Sequence, residues 1–155
     1  IWDHIPSFSN KVPSVHLAEF PVANTEWMDE TVAARLEKLR DYRDEVLKVL
    51  EGARQSKVIG NSLEAKVILV ATDEPERVLS SFGPKLADLL LVSEVTWGQE
   101  ISPKATRSER HPTLFIEVQK AEGTKCERCW RWSREVGKLT EHPTLCERCQ
   151  EVLCA

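Results

Sequence analysis

Two cysteine pairs, Cys126-x-x-Cys129 and Cys146-x-x-Cys149, carry the clearest chemistry in this chain. Thiolates are soft ligands, and two such pairs supply the four donors of a tetrahedral zinc site. The two-residue gap within each pair lets one tight turn aim both sulfurs at a single ion. Sixteen residues, 130–145, separate the pairs, which is room for a short strand out and back. The pattern predicts a zinc ribbon, two knuckles closed on one metal. A closed four-thiolate site holds structure and leaves no open position for catalysis. One Zn2+ per chain is therefore the expected cofactor, ligated by Cys126, Cys129, Cys146 and Cys149.

Other uses of these cysteines fit less well. A thioredoxin-type redox site needs one Cys-x-x-Cys beside a βαβ unit. Here there are two pairs, and neither precedes a convincing helix of such a unit. Disulfides belong to secreted chains, and no signal peptide is visible. Cys154 stands five residues after Cys149 and fits neither knuckle, so it reads as a free thiol near a frayed end. His142, four residues before Cys146, has ligand chemistry, but four cysteines already fill the coordination and leave it a surface or neighbouring role.

The first knuckle lies in a basic, aromatic setting. Lys125, Arg128, Arg131, Arg134 and Lys138 face only Glu127 and Glu135, a local formal charge of +3 over residues 125–138. Trp130 and Trp132 interleave with them. Cations track phosphates, and exposed rings stack on unpaired bases. Lys125, Arg128, Arg131, Trp132 and Arg134 are accordingly the candidate RNA contacts. A structural reading competes with this one. A four-thiolate zinc site carries about −2, which nearby cations offset. Trp130, directly after Cys129, is expected to pack against the knuckle, because a small ribbon has little other core. Trp132 suits packing and stacking equally.

No catalytic or organic-cofactor residues are assigned. The chain has no phosphate-cradling Gly-rich loop and no nucleophile elbow. Its four histidines are scattered at 4, 16, 111 and 142. With 155 residues, 41% hydrophobic and 30% charged, it has the composition of a soluble globular protein, and no run approaches a membrane span. A formal net charge of −4 argues against a free-standing nucleic-acid binder. Any nucleic-acid contact must come from a local patch or from a larger protein.

The elements that must position these residues read as follows. Ile1-Trp2-Asp3-His4-Ile5 is apolar from its first residue, as if a longer chain had been cut at the end of a helix. Residues 6–24 are broken by Pro6, Ser7, Ser9, Asn10, Pro13 and Ser14 and read as loop, with a short apolar stretch stopped by Pro21. A long helix is expected over about residues 26–58, capped by Asn24 or Thr25 and ended by Gly60. Val32, Leu36, Leu39, Val46, Leu50 and Ala53 recur on one face of it, and Asp44 and Lys48 form a supportive i,i+4 pair. At 1.5 Å per residue it would be near 50 Å long and would need a bundle partner. From Asp29 to Lys57 its seven cations and seven acids balance as on a solvated face. Strands follow at 65–71, 91–97 and 113–119, with helical turns at 74–79 and 85–90 and a polar loop at 102–112.

Three stretches together resemble the C-terminal end of bacterial-type isoleucyl-tRNA synthetase, a class I family. Ile1-Trp2-Asp3-His4-Ile5-Pro6 and Ser14-Val15-His16-Leu17-Ala18-Glu19-Phe20-Pro21 resemble the end of its anticodon-binding helical domain. Residues 54–65, Arg-Gln-Ser-Lys-Val-Ile-Gly-Asn-Ser-Leu-Glu-Ala, resemble its passage into a small α/β unit, shared with valyl and leucyl relatives. Gly123-Thr124-Lys125-Cys126-Glu127-Arg128-Cys129-Trp130, Val136-Gly137-Lys138 and residues 142–149 resemble its terminal zinc finger. That finger type also occurs in formamidopyrimidine-DNA glycosylases. Their catalytic N-terminal proline and helix-two-turn-helix are missing here, as are the synthetase signatures His-x-Gly-His and Lys-Met-Ser-Lys-Ser.

The resemblance implies an α+β architecture in three parts. Residues 1–62 would end a helical anticodon-binding domain, 63–121 would form the small α/β unit and 122–155 the zinc ribbon. It implies a role in charging isoleucine tRNA. This piece would bind the anticodon arm, and the intact enzyme alone would use ATP and Mg2+ to activate isoleucine. The implied partners are that tRNA and the remainder of the synthetase chain, in a cytoplasmic monomer that touches no membrane. The alternatives are a DNA-binding zinc module of the glycosylase type and a purely structural zinc domain.

Overall fold

The computed structural model describes residues 1–8, 10–138 and 140–154. Ser9, placed in a loop by the sequence, and Leu139 and Ala155, within the expected ribbon, lie outside them. The fold is α+β. A helix α1 (Glu30–Gln55) precedes strand β1 (Ala65–Ala71), helices α2 (Asp73–Ser80) and α3 (Leu86–Leu90), strands β2 (Glu94–Trp97), β3 (Thr106–Arg107) and β4 (Leu114–Lys120), a two-stranded hairpin of β5 (Thr124–Lys125) and β6 (Trp132–Ser133), and helix α4 (Glu147–Cys154).

The long helix is shorter than its apolar pattern implied. Asp29 caps it, its carboxylate accepting the N–H groups of Thr31 at 2.9 Å and Val32 at 3.0 Å. Asn24 instead caps a single 3-10 turn, Thr25–Trp27. A carboxylate that satisfies two open N–H groups is a stronger start than either upstream candidate. At the other end the left-handed residue is Lys57, φ 60°, and not Gly60. The Val58 N–H reaches back to the Ala53 carbonyl at 2.9 Å and closes the turn. Gly60 N–H donates to Glu64 at 2.8 Å. Twenty-six residues give a helix of about 39 Å.

Its partner is a sheet. Four strands run in the order β2-β1-β4-β3. Strand β1 is parallel to β2 and antiparallel to β4, from Ala65 opposite Lys120 to Ala71 opposite Leu114. Alternation along β1 sends Ala65, Val67 and Leu69 into the core. Leu39, Tyr42, Val46 and Leu50 from α1 meet them there, with Leu79, Leu86, Leu90, Leu114 and Ile116. Each such buried side chain contributes about 1.5–3 kcal/mol. The parallel β1–β2 pair requires a crossover, supplied by α2 and α3. The first half of α1 is left outside this core, with Val32 and Leu36 exposed.

The loop read over 102–112 contains the edge strand β3, too short to leave a sequence signal. One buried acid anchors that loop. Glu45 is 2% exposed. Its carboxylate accepts from Ser108 Oγ at 2.7 Å, Glu109 N–H at 2.9 Å and Arg110 Nε at 3.0 Å. Lys48 pairs with Glu45 at 2.8 Å, while Asp44 faces Arg110 at 3.5 Å, so the expected Asp44–Lys48 pair does not form. Among the described residues no helix is long and apolar enough to cross a membrane.

Candidate metal centre

The hairpin β5–β6 presents the first cysteine pair and the start of α4 presents the second. The first knuckle is a turn in which Trp130 N–H returns to the Cys126 carbonyl at 2.9 Å and Cys126 N–H donates to the Arg131 carbonyl at 2.8 Å. Closing it this tightly puts Trp130 in the left-handed region, φ 65°. In the second, the N–H groups of Cys149 and Gln150 donate to the Cys146 carbonyl at 2.9 and 3.1 Å and open the helix. Glu127 N–H to Thr144 O, at 3.2 Å, ties the two knuckles together.

These turns gather the Sγ atoms of Cys126, Cys129, Cys146 and Cys149 within 4.8 Å of one another. No histidine joins them, so His142 stays outside the ligand set. Four sulfurs about 2.3 Å from a tetrahedral zinc lie about 3.8 Å apart. Cys129 and Cys146 stand 3.6 Å apart, close to that spacing and far beyond a disulfide bond. The sulfurs of Cys126, Cys146 and Cys149 are buried, with Val136 and Leu145 packed around the cluster. Four convergent soft donors with no other strong partner fit one structural zinc. With all four positions taken by protein, the site offers scaffold chemistry only.

The thiols differ in their electrostatics. Burial works to raise Cys126, but backbone N–H groups of Cys129, Cys146 and Arg128 hold it down at about 6. The Cys146 N–H reaches that sulfur at 3.3 Å. Burial raises Cys129 and pushes Cys146 up to about 12, where neighbouring sulfurs add to the effect. A bound cation reverses this preference, because the thiolate is the ligand.

The structure distributes the candidate RNA contacts unevenly. Lys125 and Arg128 are exposed beside the first knuckle. Arg134, also exposed, pairs with Glu122 at 2.7 Å. Arg131 is turned inward, its side chain 17% exposed and its guanidinium spent on Asp88 and the Val92 carbonyl. Trp132 is half-buried, its N–H donates to Ser93 Oγ at 2.7 Å, and Lys120 lies 4.8 Å from its ring centre. Trp130 was expected to pack on the knuckle. It is instead 60% exposed, with Lys125 Nζ 5.1 Å from its ring centre. Lys125, Trp130, Leu91 and Asn61 share the lining of an open cavity of about 530 Å3. Val136 and Leu145, not an indole, are the aliphatic side chains packed against the cysteine cluster.

Residues 123–152 match the family described as "Zinc finger found in FPG and IleRS". The whole chain is similar to curated isoleucine–tRNA ligases. It is 40% identical over 154 residues to that of Desulforamulus reducens, covering 99% of this chain and 16% of the relative. The enzyme of Geobacillus kaustophilus is 39% identical over 154 residues, 99% of this chain and 17% of its own length. That of Syntrophotalea carbinolica is 40% identical, with 99% and 16% covered. The chain thus spans about a sixth of the length of these relatives. The resemblance read from the sequence is borne out.

Proposed function

We propose, from the premise that this chain matches isoleucine–tRNA ligases over 99% of its length and carries their type of zinc finger, that it is the part of such an enzyme that holds the anticodon arm of isoleucine tRNA. The observation that carries the proposal is an exposed indole beside a lysine ammonium, on a turn that the metal would stiffen. Trp130 shows 60% of its surface, with Lys125 beside it and Arg128 close in the chain. Anticodon bases are unpaired, so a ring can stack on one while cations follow the backbone. In this reading Lys125, Arg128, Trp132 and Arg134 border the RNA. Arg131 acts from within, holding the ribbon in place.

The metal holds the knuckles and takes no part in aminoacyl transfer. ATP and Mg2+ would serve isoleucine activation in the intact cytoplasmic enzyme, on residues other than these. The proposed division is residues 1–62, 63–121 and 122–155, with α1 bridging the first two through its shared core. The exposed Phe20, Val22, Trp27, Met28, Val32 and Leu36 favour docking against the remainder of a synthetase chain within one monomer. The finger family also takes in DNA-glycosylase members by its description, and a DNA-binding role is the rival reading. Competition among isoleucine tRNA, a second tRNA and damaged duplex DNA for the zinc-loaded protein separates them. Preference for isoleucine tRNA supports the proposal, and preference for damaged DNA overturns it.

A further inference from the structure

We infer that Asp88 fixes the orientation of the zinc ribbon on the α/β unit, and that it does so only while both knuckles are closed on their metal. The observation behind this is a convergence. Arg131 Nη1 and Arg148 Nη1 donate to the same oxygen, Oδ1 of Asp88, at 2.7 and 3.2 Å. The two arginines belong to different knuckles. The Arg131 carbonyl receives the Cys126 N–H, so its main chain is part of the first. Arg148 lies between Cys146 and Cys149, inside the second. One carboxylate on α3 therefore reads whether both halves of the metal site are assembled.

The rest of the Arg131 fork completes the joint. Its Nε and Nη2 donate to the Val92 carbonyl at 3.2 and 2.7 Å, just past the end of α3. Polar contacts carry the orientation because no apolar core does. The buried residues of the α/β unit and those of the ribbon form two separate clusters among the described residues. Further ties are the Trp132 N–H to Ser93, the Lys120 ammonium 4.8 Å from the Trp132 ring centre and, in the connecting segment, Ala121 N–H to the Glu64 carbonyl at 2.7 Å. An exposed ion pair contributes little on its own. Here the Arg131 side chain is 17% exposed and each of its three guanidinium nitrogens donates a hydrogen bond, which gives the fork more weight than a surface pair.

Metal dependence follows from the size of the ribbon. Its own core is cysteine sulfur with Val136 and Leu145, too small to hold two knuckles together without an ion. When they separate, Arg131 and Arg148 no longer converge, and the carboxylate holds one arginine at most.

Amide hydrogen exchange on the zinc-loaded protein tests this, since it resolves local opening. Two amides report different events. Trp132 N–H bonds across the joint to Ser93, and Cys126 N–H bonds within the knuckle to Arg131. In Asp88→Ala the metal content stays at about one equivalent, Trp132 exchanges roughly tenfold faster, the loss of one charge-assisted joint, and Cys126 is unchanged. Asp88→Glu, which keeps the charge, recovers part of the protection. Unchanged Trp132 exchange in zinc-loaded Asp88→Ala overturns the inference. So does equal acceleration of Cys126 with loss of zinc, which makes Asp88 a support for ribbon folding and not for its orientation. In the unaltered protein stripped of zinc, Trp132 loses protection while Val67 and Leu69 of β1 keep theirs. Protection of Trp132 that survives metal removal overturns the dependence on metal.

Discussion

Gly123 and Ser133 stand so close that a Cβ on Gly123 would lie 2.3 Å from the Ser133 carbonyl oxygen. The contact sits at the foot of the β5–β6 hairpin, where Thr124 pairs with Ser133. Gly123 also has φ +95°, a region that side chains rarely adopt. The metal site begins three residues later, so strain at Gly123 is passed directly to the first knuckle. Gly123→Ala is expected to destabilise the ribbon by at least about 2 kcal/mol. The check is zinc release to a chelator, which should be faster than in the unaltered protein while the thermal transition of the sheet core stays in place.

Glu45 sets a pH dependence at the other end of the molecule. Burial works to raise its carboxyl, but hydrogen bonds from Lys48, Ser108 and Arg110 win and hold it well below the usual carboxylate range. A folded pKa below the unfolded one adds stability that is present above about pH 4.5 and is lost as pH falls toward the folded pKa. Glu45→Gln should cost roughly 2–3 kcal/mol at neutral pH, because the charge facing Arg110 and Lys48 is lost and one of the two acceptor oxygens becomes an NH2 group set against N–H and O–H donors. The difference from the unaltered protein should shrink steadily below pH 4.5. Equal stability at pH 7 would remove Glu45 from the anchoring of residues 108–110.

The cysteine cluster and the three longer strands are legible because their signals are local. Ligand spacing in Cys126–Cys129 and Cys146–Cys149 constrains a turn of a few residues, and Ala65–Ala71 and Leu114–Lys120 are continuous apolar or alternating runs. The start of α1 was not legible, since Asn24, Thr25 and Asp29 are all good caps and only the fold selects Asp29. Trp130 is exposed where packing on the knuckle is expected, and Trp132, for which packing and stacking are equally open, is half-buried. Which indole is covered depends on neighbours brought in by the fold, such as Lys120 of β4 over the Trp132 ring. Glu45 and Asp88 left no signal for the same cause. Each looks like one acid among many until Ser108, Arg110, Arg131 and Arg148 arrive from elsewhere in the chain.

Zinc should be required for the ribbon and dispensable for the sheet. Metal analysis should return about one equivalent, as for a single four-ligand site. Cys129→Ser and Cys146→Ser should each abolish it. Binding should strengthen as pH rises, because thiols such as Cys146, pushed up to about 12, must release protons to ligate. The measurement is zinc affinity by competition with a chelator at pH 6, 7 and 8. An affinity independent of pH, or full zinc retention by both mutants, would contradict the four-thiolate assignment.

Trp132 and Trp130 should separate stability from binding. The Trp132 ring is half-buried, with Lys120 over it. Trp132→Ala should therefore lower the melting temperature of the ribbon and raise its amide exchange. Trp130→Ala removes a mostly exposed ring and relieves a left-handed backbone of nothing, so its thermal transition should move little. Equal destabilisation by the two changes would mean that Trp130 packs after all.

The most direct test of the central claim is the affinity of zinc-loaded Trp130→Ala protein for isoleucine tRNA. Zinc content is measured first, so that lost folding is not read as lost binding. A lost stacked base costs about 1–3 kcal/mol, roughly ten- to a hundredfold in affinity. The account predicts a loss in that range for isoleucine tRNA, with the salt dependence kept, because the phosphate contacts of Lys125 and Arg128 remain. Lys125→Ala with Arg128→Ala should flatten the salt dependence instead. Unchanged affinity in the zinc-loaded Trp130→Ala protein, with an unchanged salt slope in the double variant, would contradict the account and leave the ribbon a purely structural element.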